Sequence, residues 1–204
     1  MADEATEHNQ AAYDQIAGLY AARQAARGPS FPDLRAAFAA RLPQVGDVAD
    51  LGCGPADDGA LLARAGHRVV GIDRSARMLA YAARVLPWHV VQADLRRLPL
   101  AGQSVDGIWC CAALLHVPLD QTCAALGEMR RILRPGGWLA LVTAAGQGPR
   151  LEPVPYAPRM RRWFFYREPG QLREQLHDAG LQVTAMTEDP TSRHWLKFLA
   201  RAAG

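Results

Sequence analysis

Asp50, Gly52 and Gly54 stand in the run Val48-Ala49-Asp50-Leu51-Gly52-Cys53-Gly54-Pro55-Ala56-Asp57. An acid followed by a glycine-rich turn can hold a polar ligand against bare main chain, where a Cβ would obstruct it. Asp73 follows Gly52 by 21 positions, placed to accept hydrogen bonds from ribose hydroxyls. A dinucleotide site wants a third glycine at position 57, packed beside a pyrophosphate. Asp57 and Asp58 stand there instead, and two carboxylates compete with a pyrophosphate for the positive end of a helix. A ligand with ribose but no phosphate fits better. His116 is the one titratable group in residues 110–118 suited to proton removal near neutral pH. It either serves as a base or hydrogen-bonds backbone in a pocket wall.

Residues 48–51 form a first strand, a helix carrying Leu61, Leu62 and Ala65 follows the turn, and residues 68–72 form a second strand ending at Asp73. That is a βαβ nucleotide-binding opening. Before it, Tyr13, Ile16, Ala17 and Tyr20 make one amphipathic stripe on a helix over 9–26, ended by Gly28-Pro29, and a short helix spans 34–42. Ser75 starts a helix with Met78, Leu79, Ala82, Val85 and Leu86 on its apolar side, stopped by Pro87. Strands follow at 88–91, 104–110 and 138–142, with a helix carrying Leu126, Met129, Ile132 and Leu133 capped by Asp120. Residues 146–158, with four prolines, predict a loop or lid. In the basic and aromatic segment 159–167, strand alternation puts Arg162 with Phe164 and Arg161 with Trp163 and Phe165. A helix over 169–179 and strands at 181–187 and 195–202 complete the chain.

Asp-Leu-Gly-Cys-Gly at 50–54, the distal Gly71-Ile72-Asp73 and Leu133-Arg134-Pro135-Gly136-Gly137 before an apolar strand resemble the motifs of class I S-adenosylmethionine-dependent methyltransferases, small-molecule type. The resemblance implies an α/β, doubly wound, Rossmann-like, seven-stranded, mostly parallel sheet with an antiparallel last strand and helices on both faces. It implies one domain over 1–204, with a helical cap (1–45), a cofactor-binding half (46–145), a lid and substrate segment (146–168) and a C-terminal helix and strand pair (169–204). S-adenosyl-L-methionine is the implied cofactor. By the resemblance Asp50 takes the methionine ammonium directly or through water, Gly52 and Gly54 give the backbone approach, Asp73 takes the ribose, and Cys53 and Arg74 are further cofactor-binding residues. Asp94 and the backbone of Leu95 take the adenine, with Met78 near its face, and Cys110 lies by the methyl group. Tyr20 and Arg23 either close over the methionine end or belong to the core edge.

His116, Arg161, Arg162, Trp163 and Phe165 are substrate candidates, His116 also as general base. The expected reaction is methyl transfer to oxygen or nitrogen of a small molecule by in-line displacement. A tRNA-modifying enzyme and a catalytically idle cofactor-binding subunit are the alternatives. The family often has glycine where this chain has Ala56, which costs little if the local φ is negative. No Asn/Asp-Pro-Pro-Tyr/Phe follows the fourth strand, which argues against amino-methylation of DNA or protein glutamine.

Half the residues are hydrophobic and 21% charged, as in a globular α/β domain with one good core. A net charge of +3 argues for no nucleic-acid partner by itself. No apolar run reaches membrane-spanning length and the N-terminus lacks a secretory pattern, which predicts a cytoplasmic location. Four cysteines without Cys-x-x-Cys spacing predict neither disulfide nor zinc, and no acid or histidine cluster predicts a metal.

Overall fold

The computed structural model describes residues 2–28, 30–86, 89–190 and 193–204; Pro29, Pro87 and Trp88, placed above at element ends, lie outside them. The chain folds as α1 (Ala2–Arg27), α2 (Pro32–Ala39), β1 (Asp47–Leu51), α3 (Asp57–Arg64), β2 (Arg68–Asp73), α4 (Ala76–Ala82), β3 (Val90–Gln92) and β4 (Val105–Cys111). Then follow α5 (Thr122–Ile132), β5 (Leu133–Ala144), β6 (Gly148–Val154), β7 (Ala157–Tyr166), α6 (Pro169–Asp178), β8 (Leu181–Asp189) and β9 (Trp195–Ala202). Seven strands make one sheet in the order β3-β2-β1-β4-β5-β9-β8. The first five are parallel, and β9 runs antiparallel to both its neighbours. This is the expected doubly wound sheet. Its order reverses beside β1, and ligands bind at the carboxyl ends of strands around such a point.

Strand alternation on β1 feeds two cores. Ala49 and Leu51 face the cluster with Leu126, Met129 and Leu172, while Val48 faces Phe38, Leu62 and Trp109. Asp50 shares the parity of Val48, so a carboxylate is delivered into an apolar layer beneath α3. Ser75 caps α4 as expected, accepting from the Met78 N–H at 3.1 Å. Asp120 does not cap α5: Gln121 holds that position without a side-chain bond, and Asp120 lies in a preceding 3-10 turn. Ala56 has φ +66°, not the negative value at which alanine is cheap.

The proline-rich segment is not a loop. Residues of β6 pair antiparallel with β7 in a separate two-stranded ribbon. Each strand of such a ribbon has an unpaired edge. Pro149 and Pro153 stand four residues apart, on one side of the period-two ladder, so one row of N–H groups absorbs both missing donors. Buried Phe164 and Tyr166 pack the ribbon on Leu115 and Ala144.

Helix α1 bridges ribbon and body. Asn9 pairs edge-on with Trp163, donating to its carbonyl at 2.9 Å and accepting from its N–H at 2.7 Å. On its other side Gln10 accepts from Arg74 Nε at 2.9 Å, and Asp14 accepts from Ser75 Oγ at 2.6 Å. α1 thus lies as a cover over the carboxyl ends of β1 and β2. Among the described residues no helix is long and apolar enough to cross a membrane.

Candidate active site

The turn after β1 is built on left-handed backbone at Gly52 (φ +68°) and Gly54 (φ +54°). A Cβ on Gly52 would lie 2.2 Å from that of Ala113, so nothing larger than hydrogen fits. The turn is tied to β2 twice. Gly52 N–H and Cys53 N–H donate to the Ile72 carbonyl at 2.7 and 3.0 Å. Gly54 N–H donates to Asp73 Oδ2 at 2.9 Å, while Asp73 Oδ1 accepts from Ser75 N–H at 2.8 Å. Asp73 therefore holds the turn to the start of α4 with both carboxylate oxygens.

Asp50 is 3% exposed, and its Oδ2 has no hydrogen-bond partner. Burial, then the charge of Asp58, pushes its carboxyl well above the usual range, against the opposing Gly59 N–H. Asp57 Oδ2 is likewise buried and unpartnered. Asp58 is not: it accepts from Arg35 at 2.7 Å and from Trp109 Nε1 at 3.2 Å.

A hollow of about 120 Å³ opens under α1, lined by Gln10, Asp73, Arg74, Met78, Asp94 and Leu95 among others. Asp94, expected to meet adenine, is already occupied. Arg96 forks onto both its oxygens at 2.8 and 2.7 Å, and Arg74 donates to one of them. Burial alone would raise this carboxyl; Arg96 and Arg74 outweigh it and hold it below its usual value.

A larger cleft of about 660 Å³ lies between the glycine turn and the ribbon. Tyr13, Tyr20, Gly52, Gly54, Cys111, Ala112 and His116 wall both spaces and mark where they meet. His116 Nδ1 lies 2.9 Å from the Trp163 carbonyl, which can only accept, so Nδ1 carries the proton. Nε2 is then the acceptor for the Tyr13 hydroxyl at 2.7 Å. Tyr13 in turn accepts from Arg162 Nη1 at 2.9 Å. Burial pushes the His116 imidazole down to about 3.

The predicted residues separate cleanly. Tyr20, Arg23, Asp50, Gly52, Cys53, Gly54, Asp73, Arg74, Met78, Asp94, Leu95, His116 and Arg162 line one space or both. Cys110 does not: it is fully buried in the core, and Cys111 takes the wall position. Arg161, Trp163 and Phe165 lie on the other side of β7, where Trp163 stacks on Phe165 at 6.4 Å, and they line neither space. Phe164 is the ring on the cleft, sharing the parity of Arg162. The sequence paired these residues correctly by parity but held no signal for which face turns inward.

Tyr13, Glu152, Arg193 and Trp195 also line the cleft and were not singled out; three of them come from elements beyond β5 or the ribbon, with no local motif. Phe31, Ala56, Gln103 and Ala112 hold left-handed backbone without being glycine, Gln103 in a turn away from the cleft. Phe31 and Ala112 line the cleft and Ala56 ends its glycine turn, and such strain gathers at functional sites. Among the described residues no cluster of three or more His, Cys, Asp or Glu could hold a metal ion.

Residues 48–137 match a family described as methyltransferase domain. The malonyl-[acyl-carrier protein] O-methyltransferase of Enterobacter lignolyticus is 40% identical over 112 residues, 53% of this chain and 44% of that protein. Trans-aconitate 2-methyltransferase of Azoarcus sp. is 44% identical over 109 residues, 50% of this chain and 41% of that one. The matches thus span under half the length of these curated relatives. Among solved structures, Burkholderia thailandensis 1,6-didemethyltoxoflavin-N1-methyltransferase with bound S-adenosylhomocysteine superposes with TM-score 0.77 at 21% identity, covering 100% of this chain and 91% of that one. The DhpI complex with S-adenosylhomocysteine gives 0.75 at 24% identity, covering 100% and 99%. At these identities the likeness is one of fold.

Proposed function

We propose that this chain, a class I methyltransferase in fold and in the family its residues 48–137 match, transfers a methyl group from S-adenosylmethionine to a small organic molecule. One observation carries the reading: the buried Asp50 carboxylate keeps an oxygen that no group of the protein satisfies. A buried charge without a partner costs several kcal/mol or shifts its pKa, and a cationic ligand group relieves that cost. The ammonium of the methionine tail is such a group, with the free oxygen of Asp57 beside it.

The rest of the donor finds matching chemistry. Gly52 and Gly54 offer bare backbone, and the Asp73 carboxylate suits ribose hydroxyls. Tyr20 and Arg23 line the cleft where the methionine end would lie, while Met78 and Leu95 line the hollow that would take the nucleoside. Asp94 would share with adenine the oxygens it now gives to Arg74 and Arg96. When bound, the donor supplies a methyl group on a sulfonium that leaves as a neutral thioether. The protein's own work is alignment and exclusion of water by α1 and the ribbon. In this reading residues 1–45 are the cap and 146–168 the substrate-facing ribbon of one domain.

The relatives' names, a malonyl-carrier O-methyltransferase and a trans-aconitate methyltransferase, support an acceptor that is an organic acid derivative rather than nucleic acid. Titration calorimetry with S-adenosylmethionine and with NADH tests the reading: the first binds and the second does not. Binding of NADH without S-adenosylmethionine would sink it.

A further inference from the structure

Arg162 is 8% exposed, lines the cleft, and has no carboxylate partner among the described residues. Its Nε is buried without a hydrogen bond. Two rings flank the guanidinium, Tyr13 at 5.1 Å and Phe164 at 5.3 Å from their centroids. Such contacts offset only part of the cost of desolvating a cation. Arg193 in the same cleft differs, because Glu152 neutralises it at 2.7 Å. Arg162 is thus a buried cation prepared for an anion. It lies one hydrogen bond from Tyr13, which walls both spaces, so that anion would rest where donor and acceptor meet.

Apart from Asp50 and Asp57, no histidine or carboxylate lining the cleft is free of a partner among the described residues. His116 uses Nδ1 on the Trp163 carbonyl and Nε2 on Tyr13. Glu152 is held by Arg193 and Tyr166, and Asp58 by Arg35 and Trp109. In the methyl-transfer reading above, Asp50 and Asp57 are taken by the donor's ammonium. Burial, which holds His116 near 3, removes it further from proton transfer at neutral pH. An acceptor here must arrive already deprotonated.

Resting on the methyl-transfer reading above, we propose that the acceptor is a carboxylate bound against Arg162 beside Tyr13, and that the product is a methyl ester. A carboxylate oxygen forms the bond to the methyl carbon of the sulfonium donor. The carbon–sulfur bond breaks with its pair going to sulfur. Anion and cation become ester and neutral thioether, and no proton is gained or lost. Phe164 gives the body of the acid an apolar face.

The test uses the whole chain, donor labelled in its methyl group, and a deproteinised small-molecule extract of bacterial cells as acceptor pool. Label that becomes volatile as methanol after mild alkali is the expected result. Label that survives alkali, as an ether or amine, overturns the proposal, and so does absence of transfer by protein that binds the donor in calorimetry. Failure to bind the donor sinks the methyl-transfer reading instead. Arg162→Gln should lower kcat/KM for the ester-forming acid about 100-fold, as loss of a charged hydrogen-bonding partner implies, with donor Kd unchanged within twofold. Arg162→Lys, keeping the charge, should recover part of that loss, and Arg161→Gln on the outer face of β7 should change little. If Arg162→Gln instead weakens donor binding tenfold or more, the arginine holds the donor's own carboxylate and the proposal falls.

Discussion

On one side of Tyr13 and His116, the charged side chains are hydrogen-bonded within the protein. Asp94 is gripped by Arg96 and Arg74, Arg74 by Gln10, and Asp73 by two backbone N–H groups. The space left is about 120 Å³. On the other side the cleft is about 660 Å³, and Asp50, Asp57 and Arg162 each keep a buried polar atom without a partner. Left-handed Ala112 walls both spaces, and left-handed Ala56 ends the glycine turn. In the proposed reading the nucleoside side is held largely by the protein's own hydrogen bonds, while the transfer side keeps buried polar atoms that a ligand would satisfy. A fold tolerates the second kind of site when the first kind and the core supply its stability.

The sharpest way to break this contrast is at the turn serving both sides. Gly52→Ala puts a Cβ 2.2 Å from that of Ala113 on backbone at φ +68°. Backbone strain and overpacking together should cost about 2–5 kcal/mol in urea unfolding, with donor binding lost in calorimetry. A folded variant that binds normally would show that the turn is not the cradle.

Asp50→Asn separates the sides next. Donor affinity should fall about 10- to 100-fold, the range for hydrogen bonds to a charged group, while the ligand-free protein gains stability. The pH sign follows from the raised carboxyl. Its contribution is intact below the ordinary value of 3.8 and is lost as pH rises through the higher folded value. Ligand-free wild type should therefore lose melting temperature above about pH 4, along a slope the asparagine variant flattens. Equal slopes would remove Asp50 as the source.

How far the sequence foretold each side follows the same division. The glycine turn, Asp50 and Asp73 are fixed by spacing within a single βαβ unit, so local pattern located them. The antiparallel final strands were also readable, because alternation and the Asp189-Pro190 break are local. The cleft is assembled from α1, β6, β7 and residues near 193, far apart in the chain. Alternation predicts that Arg162 pairs with Phe164 but not which face turns inward, and packing against Leu115 and Ala144 decides that. Prolines concealed β6 because their cost vanishes only in a ribbon with a free edge. Cys110 and Cys111 differ by one step of strand parity, enough to move a thiol from wall to core.

His116 gives a smaller and finer test. The imidazole is depressed to about 3 by burial, with Arg162, Arg193 and Arg167 opposing its charge and the Trp163 carbonyl favouring it. Its contribution to stability is full above the ordinary 6.5 and lost as pH falls from there toward 3. A carboxylate acceptor needs no proton removed, so log kcat should run flat from about pH 5 to 8. An inflection near 6.5 that vanishes in His116→Asn would return the residue to the role of base.

The smallest expected effect belongs to Ala56, where three terms nearly cancel. Its φ of +66° costs an L-residue about 1–2 kcal/mol, which glycine would relieve. Against that, glycine adds about 0.5–1 kcal/mol of chain entropy to the unfolded state. It also removes a fully buried methyl packed in the cluster of Phe38, Leu62 and Trp109, worth about 0.8 kcal/mol. Ala56→Gly should therefore change unfolding free energy by less than about 1 kcal/mol, the sum of those three terms. Ala56 lines neither space, so donor affinity should stay within about threefold, under 1 kcal/mol. This balance explains how alanine stands where the resemblance expects glycine: the core recovers what the backbone loses. A gain above about 1 kcal/mol would mean that strain dominates and is stored at the turn. An equal loss would mean that the methyl is a core element first, with the left-handed backbone its consequence.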